Sequence, residues 1–273
     1  MKWHNMGGMT TERDDYENFQ VERGGGSVYL TIDSTAKMNS FHPRMAEELF
    51  LLSARLGEDE SARCVVITGS SGVFCAGADT SDFDSDEPVT VIKQSMALFH
   101  DALAQFHRTG TPVLIGVNGP AVGGGLGLAI SGDIVLMSDE AYLQYGYPTV
   151  GLTGDGGSSW HLPRLVGLRE AQRIALLNER IDAREAAKIG LVTEFVSGAD
   201  FDERLEELAD RLANGPTKAF ERITRLLKRC FHRPFEQQLA AEMESVAQTM
   251  QTNDHREAIS AFNEEREPEF SGQ

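Results

Sequence analysis

Two glycine-rich loops are the parts of this sequence whose backbone could most directly perform chemistry. One loop, at 69–79, follows the apolar run at 64–68, and the other, at 118–125, follows the apolar run at 113–117. Glycine lets the backbone come very close to a bound group. A helix start after the second loop would add unpaired N–H donors and the positive end of a helix dipole. The loops therefore predict a site for negative charge, either a phosphate or an oxyanion formed during a reaction.

Several common catalytic motifs are missing from the sequence. It has no G-x-G-x-x-G dinucleotide loop, no G-x-x-x-x-G-K-[ST] phosphate loop, no G-x-S-x-G esterase elbow and no H-E-x-x-H metal motif. His100 and His107 lie seven apart on one predicted helix, a spacing typical of a surface pair rather than of metal ligands.

Two N–H groups aimed at one oxygen are what an acyl-thioester enzyme needs, because its carbonyl becomes an enolate or a tetrahedral oxyanion.

The elements that must position the loops form an alternating pattern. A strand, a glycine-rich loop and a helix occur twice in succession, which predicts an α/β sheet with parallel strands. Ligands of such sheets bind at the carboxyl ends of the strands, where both loops lie. The predicted strands are 19–23, 28–32, 64–68, 113–117, 134–137 and 191–196; 142–152 fits neither type clearly. The predicted helices before residue 200 are 43–56, 91–106, 126–130, one ending near 166, 170–177 and one beginning near 182.

Composition narrows the function classes. A net charge of −17 argues against a nucleic-acid partner. No apolar run approaches the roughly 20 residues of a membrane span, and the N-terminal residues lack the apolar core of a secretion signal, so we expect a cytoplasmic protein. Cys64, Cys75 and Cys230 are an odd set without C-x-x-C spacing, which favours buried thiols in a reducing compartment over disulfides or a metal site.

The sequence divides into three parts. Residues 1–15 are polar and glycine-containing, and we interpret them as a flexible lead-in. Residues 16–200 carry the α/β pattern and form the predicted core domain. Residues 201–273 are predicted to be helical, with helices over 201–213, 217–230, 234–250 and 254–263. The apolar faces of these helices need a partner, either the core domain or another subunit.

The ordered motifs resemble those of the crotonase superfamily, the enoyl-CoA hydratase/isomerase family. The two main signatures are FCAGAD at 74–79 and AVGGG at 121–125. Supporting matches are MNSF at 38–41, GL at 151–152, DGG at 155–157, LPRLVG at 162–167, IDAREA at 181–186 and GLV at 190–192. The similarity spans roughly residues 18–270. Each motif alone is moderately specific, whereas the ordered set is a strong signal.

The resemblance implies a crotonase-like spiral of ββα units with a C-terminal helical trimerisation region. It also implies a homotrimer or a hexamer (a dimer of trimers), and an acyl-CoA thioester substrate. Coenzyme A then enters as part of the substrate, with no separate cofactor and no metal. The family pattern assigns an oxyanion hole to the N–H groups of Ala78 and Gly124. The residues that it implies for substrate or CoA binding are Lys37, Asn39, Ala76, Gly77, Asp79, Gly123, Gly127 and Tyr147.

The sequence departs from the hydratase pattern at both catalytic glutamates. The positions that would carry them are Gly127 and Tyr147. A glycine cannot transfer a proton, and a tyrosine with an ordinary pKa near 10 is a poor base near neutrality. Water addition by paired glutamates is therefore not expected, and the missing side chain at Gly127 predicts room for a bulky acyl group. Asp79 also lacks the hydrophobe-Lys pair that often follows it, so one cationic contact to CoA is in doubt.

Asp155 is the one carboxylate left at a position that the resemblance makes functional. It could move a proton between the α- and γ-carbons of an enoyl thioester, or it could only cap the helix that follows it. We expect an isomerase that shifts a double bond or opens an epoxide. The alternatives are a hydratase with atypical residues, a hydrolase or dehalogenase in which Asp155 attacks covalently, and a catalytically silent acyl-CoA-binding subunit. Further candidates for the acyl pocket are Tyr142, Tyr145, Trp160 and His161.

Overall fold

The computed structural model describes residues 10–12, 16–79 and 86–273. Most of the predicted lead-in, and residues 80–85, lie outside these residues. The strands are β1 Thr10–Glu12, β2 Phe19–Gly24, β3 Ser27–Ile32, β4 Cys64–Gly69, β5 Val113–Val117, β6 Ala121–Val122, β7 Ile134–Ser138, β8 Tyr142–Gln144, β9 Ile181–Asp182 and β10 Glu194–Val196. The helices are α1 Pro43–Glu58, α2 Pro88–Arg108, α3 Gly124–Ala129, α4 Ser158–Leu165, α5 Gly167–Leu177, α6 Ala183–Lys188, α7 Phe201–Ala213, α8 Thr217–Arg229, α9 Phe235–Thr249 and α10 Asn253–Asn263.

A seven-stranded sheet in the order β1-β2-β3-β4-β5-β7-β10 forms the frame of the molecule. The pairs from β3 to β10 are parallel, as the alternating pattern predicts, and β1 and β2 extend the sheet antiparallel to them. Every residue of β3, β4 and β5 is buried. Strands covered on both faces show such continuous apolar runs, because neither face meets water.

Helices cover the two faces of this sheet. The helices α1 and α2 bury residues such as Leu49 and Phe99 in the large core on one face. On the other face, α7 places Phe201, Leu205 and Ala209 against side chains of β3, β4, β5 and β7. The predicted helical region from residue 201 therefore contains one helix that completes the core. In α8 and α9, by contrast, no residue is buried.

A second sheet of three short strands, in the order β6-β8-β9, lies beyond the carboxyl end of β5. An isolated bridge between Cys75 and Ala121 joins the two glycine-rich loops. The backbone bonds of this bridge run from the Cys75 N–H to the Pro120 carbonyl and from the Val122 N–H to the Cys75 carbonyl, at 3.0 and 2.9 Å. The two loops are thus locked side by side, as chemistry by paired N–H groups requires.

Three local predictions can be compared with the structure. The predicted strands 19–23 and 28–32 are confirmed as β2 and β3, which pair antiparallel across the glycines at 24–26. The lead-in prediction was incomplete, because Thr10–Glu12 pairs with β2 as a strand. The segment that fitted neither type forms β8 and a 3₁₀ turn at Tyr147–Val150. Within the part of the chain that the structure describes, no helix combines the length and apolar character needed to cross a bilayer.

The expectation of buried thiols holds for two of the three cysteines. Cys64 and Cys75 are buried, and burial raises the pKa of each thiol to about 12. Neither is a nucleophile near neutrality, because the reactive form is the thiolate. Cys230 is exposed, so the prediction was wrong there. The cause is that the carboxyl end of α8 does not pack on the core.

Candidate active site

A cavity of about 510 Å³ lies at the carboxyl ends of the central strands. Both glycine-rich loops line it, through Ala76, Gly77 and Ala78 from the first loop and Gly123 and Gly124 from the second. The opposite wall comes from α1, α2 and the segment around the 3₁₀ turn. The cavity is mainly apolar, which suits an acyl chain, and its polar groups are few.

Two backbone N–H groups at this cavity are available to a ligand. Among the described residues, neither the Ala78 N–H nor the Gly124 N–H has a hydrogen-bond acceptor. Ala78 is flanked by the bonds from the Phe41 N–H to the Gly77 carbonyl and from the Asp79 N–H to the Phe41 carbonyl, both 2.7 Å. These bonds fix the Ala78 peptide in place. Donors held rigidly in this way can stabilise a developing oxyanion without reorganising.

The second donor is positioned by the start of α3. Gly124 is the first residue of the helix, so its N–H has no partner one turn earlier. The preceding Gly123 has φ +58° and ψ −121°, a conformation that L side chains rarely adopt. Its own N–H donates to the Gln144 carbonyl at 3.1 Å, which ties the turn to β8. Gly123 is therefore glycine for a conformational reason.

Asp155 is the carboxylate at this cavity; no other Asp or Glu occurs among the described residues that line it. Its Oδ1 lies 3.6 Å from the point that a Cβ on Gly124 would occupy, so the carboxylate lies beside the residue that supplies the second N–H donor. The Tyr147 hydroxyl donates a hydrogen bond to the same oxygen. Burial, followed by the charge of Asp155, raises the pKa of Tyr147, which keeps the phenol protonated as the donor.

The capping role considered for Asp155 is not found. The helix α4 has Gly157 as its N-cap, without a side-chain capping bond. The Ser158 N–H and hydroxyl donate to the backbone carbonyl of Asp155, at 3.0 and 2.8 Å, rather than to its carboxylate. Because the backbone performs this function, the carboxylate is directed into the cavity.

Gly127 does not enlarge the acyl pocket, so that prediction was wrong. It does not line the cavity. A Cβ on Gly127 would lie 2.6 Å from the Gly156 carbonyl oxygen and 3.0 Å from the Gly156 carbonyl carbon and Cα. The space of the missing side chain is filled by backbone, because the turn after Asp155 packs directly on α3. Gly127 therefore determines where Asp155 is held.

The close packing at Gly127 makes a stability prediction. We expect Gly127→Ala to lower the free energy of unfolding by about 1–3 kcal/mol, because backbone must move to admit the methyl group. Gly57→Ala is the matched control: nothing lies within 4 Å of a Cβ there, and alanine favours a helix. Urea unfolding of both variants measures the difference. Equal stability of the two variants would contradict the close approach.

The predicted CoA-binding residues outside the cavity have different environments. Lys37 is exposed, and its turn adjoins the first loop through a bond from the Ala76 N–H to the Met38 carbonyl. Asn39 is buried, and its amide accepts from the Ser34 N–H and donates to the Val73 carbonyl. The Asn39 side chain is thus committed to the fold, which corrects its prediction as a ligand contact.

Asp79 and most of the aromatic side chains predicted for the acyl pocket do not line the cavity. Asp79 does not line it, and its backbone N–H donates to the Phe41 carbonyl. Tyr145 packs behind Tyr147, with ring centroids 5.0 Å apart. The Tyr142 ring lies under the Arg180 guanidinium at 4.2 Å. Only Tyr147 of the four aromatic candidates reaches the cavity.

Trp160 and His161, also considered for the acyl pocket, line a different cavity on the far side of the Asp155 turn. They belong to α4, which leads away from the site. Their neighbour across that cavity is His107, whose ring centroid is 5.2 Å from that of Trp160. The predicted surface pair also differs in environment. His100 is exposed, with its Nε2 accepting from the Gly156 N–H at 3.2 Å, while His107 is half-buried.

One wall of the cavity was missed by the sequence analysis. Ile92, Met96 and Phe99 from α2 line it, and Phe99 contacts Phe41 with ring centroids 4.4 Å apart. The spacing of four and three residues places the α2 side chains on one helix face. That periodicity was visible in the sequence, but it did not indicate whether the face meets the core or a ligand.

Comparisons with known proteins agree with this geometry. The family model for enoyl-CoA hydratase/isomerase matches residues 22–273. A probable enoyl-CoA hydratase of Rhodobacter capsulatus is 34% identical, over 94% of this chain and 99% of its own length. The 1,2-epoxyphenylacetyl-CoA isomerase of Escherichia coli is 30% identical, over 90% and 95%. A 4-chlorobenzoyl coenzyme A dehalogenase of an Arthrobacter species is 33% identical, over 73% and 74%.

The fold also agrees with solved structures. The enoyl-CoA hydratase of Bacillus anthracis superposes with a TM-score of 0.88 at 25% identity, covering 94% of this chain and 100% of that one. The expected crotonase fold is therefore confirmed. With its two adjoining glycine-rich loops and a family match that spans nearly the whole sequence, this chain belongs to the enoyl-CoA hydratase/isomerase family.

Proposed function

We propose that this protein is an acyl-CoA isomerase in which Asp155 transfers a proton within an enoyl thioester. The observation that carries the proposal is the position of the Asp155 carboxylate: it faces Gly124 and has no second carboxylate beside it among the described lining residues. Adding water with general acid–base help requires a group that activates the water, which the hydratases of the family supply with a glutamate pair. A double-bond shift needs one group that removes a proton and returns it elsewhere.

The reaction balances with the residues present. The Asp155 carboxylate takes a proton from the α- or γ-carbon of the bound thioester, and the electron pair of that C–H bond delocalises onto the thioester oxygen. The N–H groups of Ala78 and Gly124 hold the resulting oxyanion. Protonated Asp155 then returns the proton to the other carbon, so the double bond moves and no other reactant is consumed. The same proton transfer would serve the opening of an epoxide next to the thioester.

The substrate test is a panel of enoyl-, dienoyl-, epoxyacyl- and aryl-CoA thioesters, analysed by ultraviolet absorbance and mass spectrometry. We expect product of unchanged mass with a moved double bond or an opened epoxide, and deuterium at the α- or γ-carbon when the solvent is D₂O. A gain of 18 mass units would indicate hydration instead. No turnover with any member would favour a silent binding subunit.

A covalent role for Asp155 is the second candidate, because the same carboxylate could attack the halide-bearing carbon of a haloaryl thioester, expel the halide and leave an ester that water hydrolyses. The relatives of this chain include a 4-chlorobenzoyl coenzyme A dehalogenase. Rapid quenching with a haloaryl-CoA, followed by peptide mass spectrometry, separates the two. An Asp155 peptide that carries the aryl group would establish covalent catalysis, and its absence during release of the halide would exclude the covalent role.

We also propose that the protein assembles into a homotrimer or a dimer of trimers through its last helices. In α8 to α10 and the 3₁₀ turn after α8, large apolar side chains are exposed in unusual number for a monomer. They are Ile223, Leu227, Phe231, Phe235, Leu239, Met243, Val246, Met250, Ile259 and Phe262. This face supplies the apolar area that an obligate interface needs.

Light scattering of the purified protein tests the assembly. We expect a mass of three or six chains, reduced by Met243→Glu, which places a charge on the apolar face. Gln237→Glu is the control, since Gln237 is also exposed on α9 and receives the same charge. A monomeric native protein, or two variants with equal masses, would refute the proposed interface.

A further inference from the structure

A second cavity, of about 550 Å³, lies behind the Asp155 turn. It is enclosed by α2, by the start of α4 with the adjoining Gly156 and Gly157, and by the carboxyl end of α8 with the turn that follows. Among the described residues, the two cavities have no lining residue in common. The second cavity is therefore separate from the acyl site, although the same turn forms a wall of each.

The formal charges at this cavity are all positive. Arg108, Lys228 and Arg229 line it, and no Asp or Glu is among its described lining residues. This contrasts with the net charge of −17 for the whole chain. Lys228 already has a partner, because its Nζ lies 2.8 Å from Asp133 Oδ1. The arginines at 108 and 229 are exposed and reach the cavity from α2 and α8.

Four imidazoles add hydrogen-bond donors to the same walls: His100, His107, His161 and His232. The described residues contain no group of three His, Cys, Asp or Glu side chains arranged to hold a metal ion. Carboxylates, which would favour a cation, do not line the cavity. Guanidinium and imidazole N–H groups around a common space are instead the donor set for an oxyanion.

Two partly buried imidazoles at this cavity, those of His161 and His107, have pKa values below the usual range for histidine. Burial first, and then the positive fields of His107, Lys228 and Arg164, lower the pKa of His161 to about 4. His107 is lowered in the same direction by burial and Lys228, against an opposing effect of Asp133. Burial and the nearby cations thus disfavour a further positive charge at this cavity. An anion placed there would reverse the effect, since an opposite charge favours the protonated imidazole.

We propose that this second cavity binds a phosphate-type oxyanion, held by Arg108 and Arg229 and hydrogen-bonded by the imidazoles of α2 and α4. Arginine is suited to this role because its planar guanidinium presents paired donors to phosphate. The site is independent of the proton transfer proposed for Asp155, so it can be tested with inorganic phosphate alone.

Calorimetric titration of the assembled protein with inorganic phosphate is the first test. We expect saturable binding that Arg108→Gln and Arg229→Gln each weaken by about tenfold, because each removes a charge-assisted hydrogen bond. Arg225→Gln is the matched control: it lies one turn before Arg229 on α8 and is paired with Glu221. Absence of binding, or equal weakening by all three variants, would overturn the proposal.

The second test follows the imidazoles by NMR. Bound phosphate should raise the pKa of His161 by about one pH unit. Phosphate should also bind more tightly as the pH falls through the pKa of His161, because the protonated ring adds a donor. Of the residues that line the cavity, His107 and Lys228 are the ones whose positive fields lower the pKa of His161. An unchanged pKa for His161 at saturating phosphate would contradict the assignment.

Repeating the titration with saturating CoA distinguishes two sources of the phosphate. Independent binding assigns the cavity to a free phosphate or a separate phosphate ester. Displacement by CoA, but not by pantetheine, which carries no phosphate, assigns it to a phosphate group of CoA itself. Both results require a phosphate site at Arg108 and Arg229, and neither depends on whether the protein isomerises its substrate.

Discussion

Asp155→Asn is expected to lower kcat/KM by about 10²- to 10⁴-fold on the substrate that the panel identifies, the range that a positioned acid–base group contributes. The amide is nearly isosteric with the carboxylate and can still accept from the Tyr147 hydroxyl. It cannot take a proton from carbon. Acyl-CoA affinity should change little, because the donors of Ala78 and Gly124 belong to the backbone.

The control for this substitution is Asp101→Asn, which makes the same chemical change at an exposed position of α2. We expect native turnover from the control. Deuterium exchange into the substrate should be lost together with turnover in Asp155→Asn. If Asp155→Asn kept full turnover, the carboxylate would have no role in the proton transfer and the proposed mechanism would fail.

Gly124→Pro should be nearly as damaging, with an expected loss of about 10²- to 10³-fold in kcat. Proline removes the one backbone N–H at issue. The position tolerates it, because Gly124 is the first residue of α3, where proline is common. The ψ of −121° at Gly123 lies far from the helical range that proline disfavours in the residue before it.

Gly124→Ala separates the lost donor from the added bulk. A Cβ there makes only ordinary contacts, 3.6 Å from Asp155 Oδ1 and 3.6 Å from a Phe99 ring carbon. We expect the alanine variant to keep most of the turnover, while both variants unfold at similar urea concentrations. Equal activity of the two variants would exclude the Gly124 N–H as an oxyanion donor.

The conditions for this chemistry depend on several levels of the structure. Parallel pairing of β4 with β5 brings the two glycine-rich loops to one edge of the sheet. The bridge from Cys75 to Ala121 then fixes their relative position. Gly127, in α3, lets the turn that follows Asp155 pack closely on that helix. This packing brings the Asp155 carboxylate beside Gly124, which supplies the second donor. The fold thus positions the groups through backbone packing more than through side-chain bonds.

The sequence by itself determined the central strands and the two glycine-rich loops. Runs of β-branched residues such as 64–68 and 113–117 are too apolar to face water, so they predicted buried strands whose carboxyl ends meet. The glycines that follow them limit the chain to turns that expose N–H groups. These are local properties, and the pairing of parallel strands extends them to one shared site.

Only the tertiary structure decided where Asp155, Gly127 and Tyr147 lie and what they contact. An aspartate before glycine and serine has the same local sequence whether its carboxylate caps a helix or enters a cavity. The choice depends on Tyr147, eight residues earlier, and on the backbone of α3. Likewise, an absent side chain indicates either open space or close packing, and only the neighbouring atoms distinguish them. The contacts that settle both cases join residues distant in the chain, which periodicity and spacing do not encode.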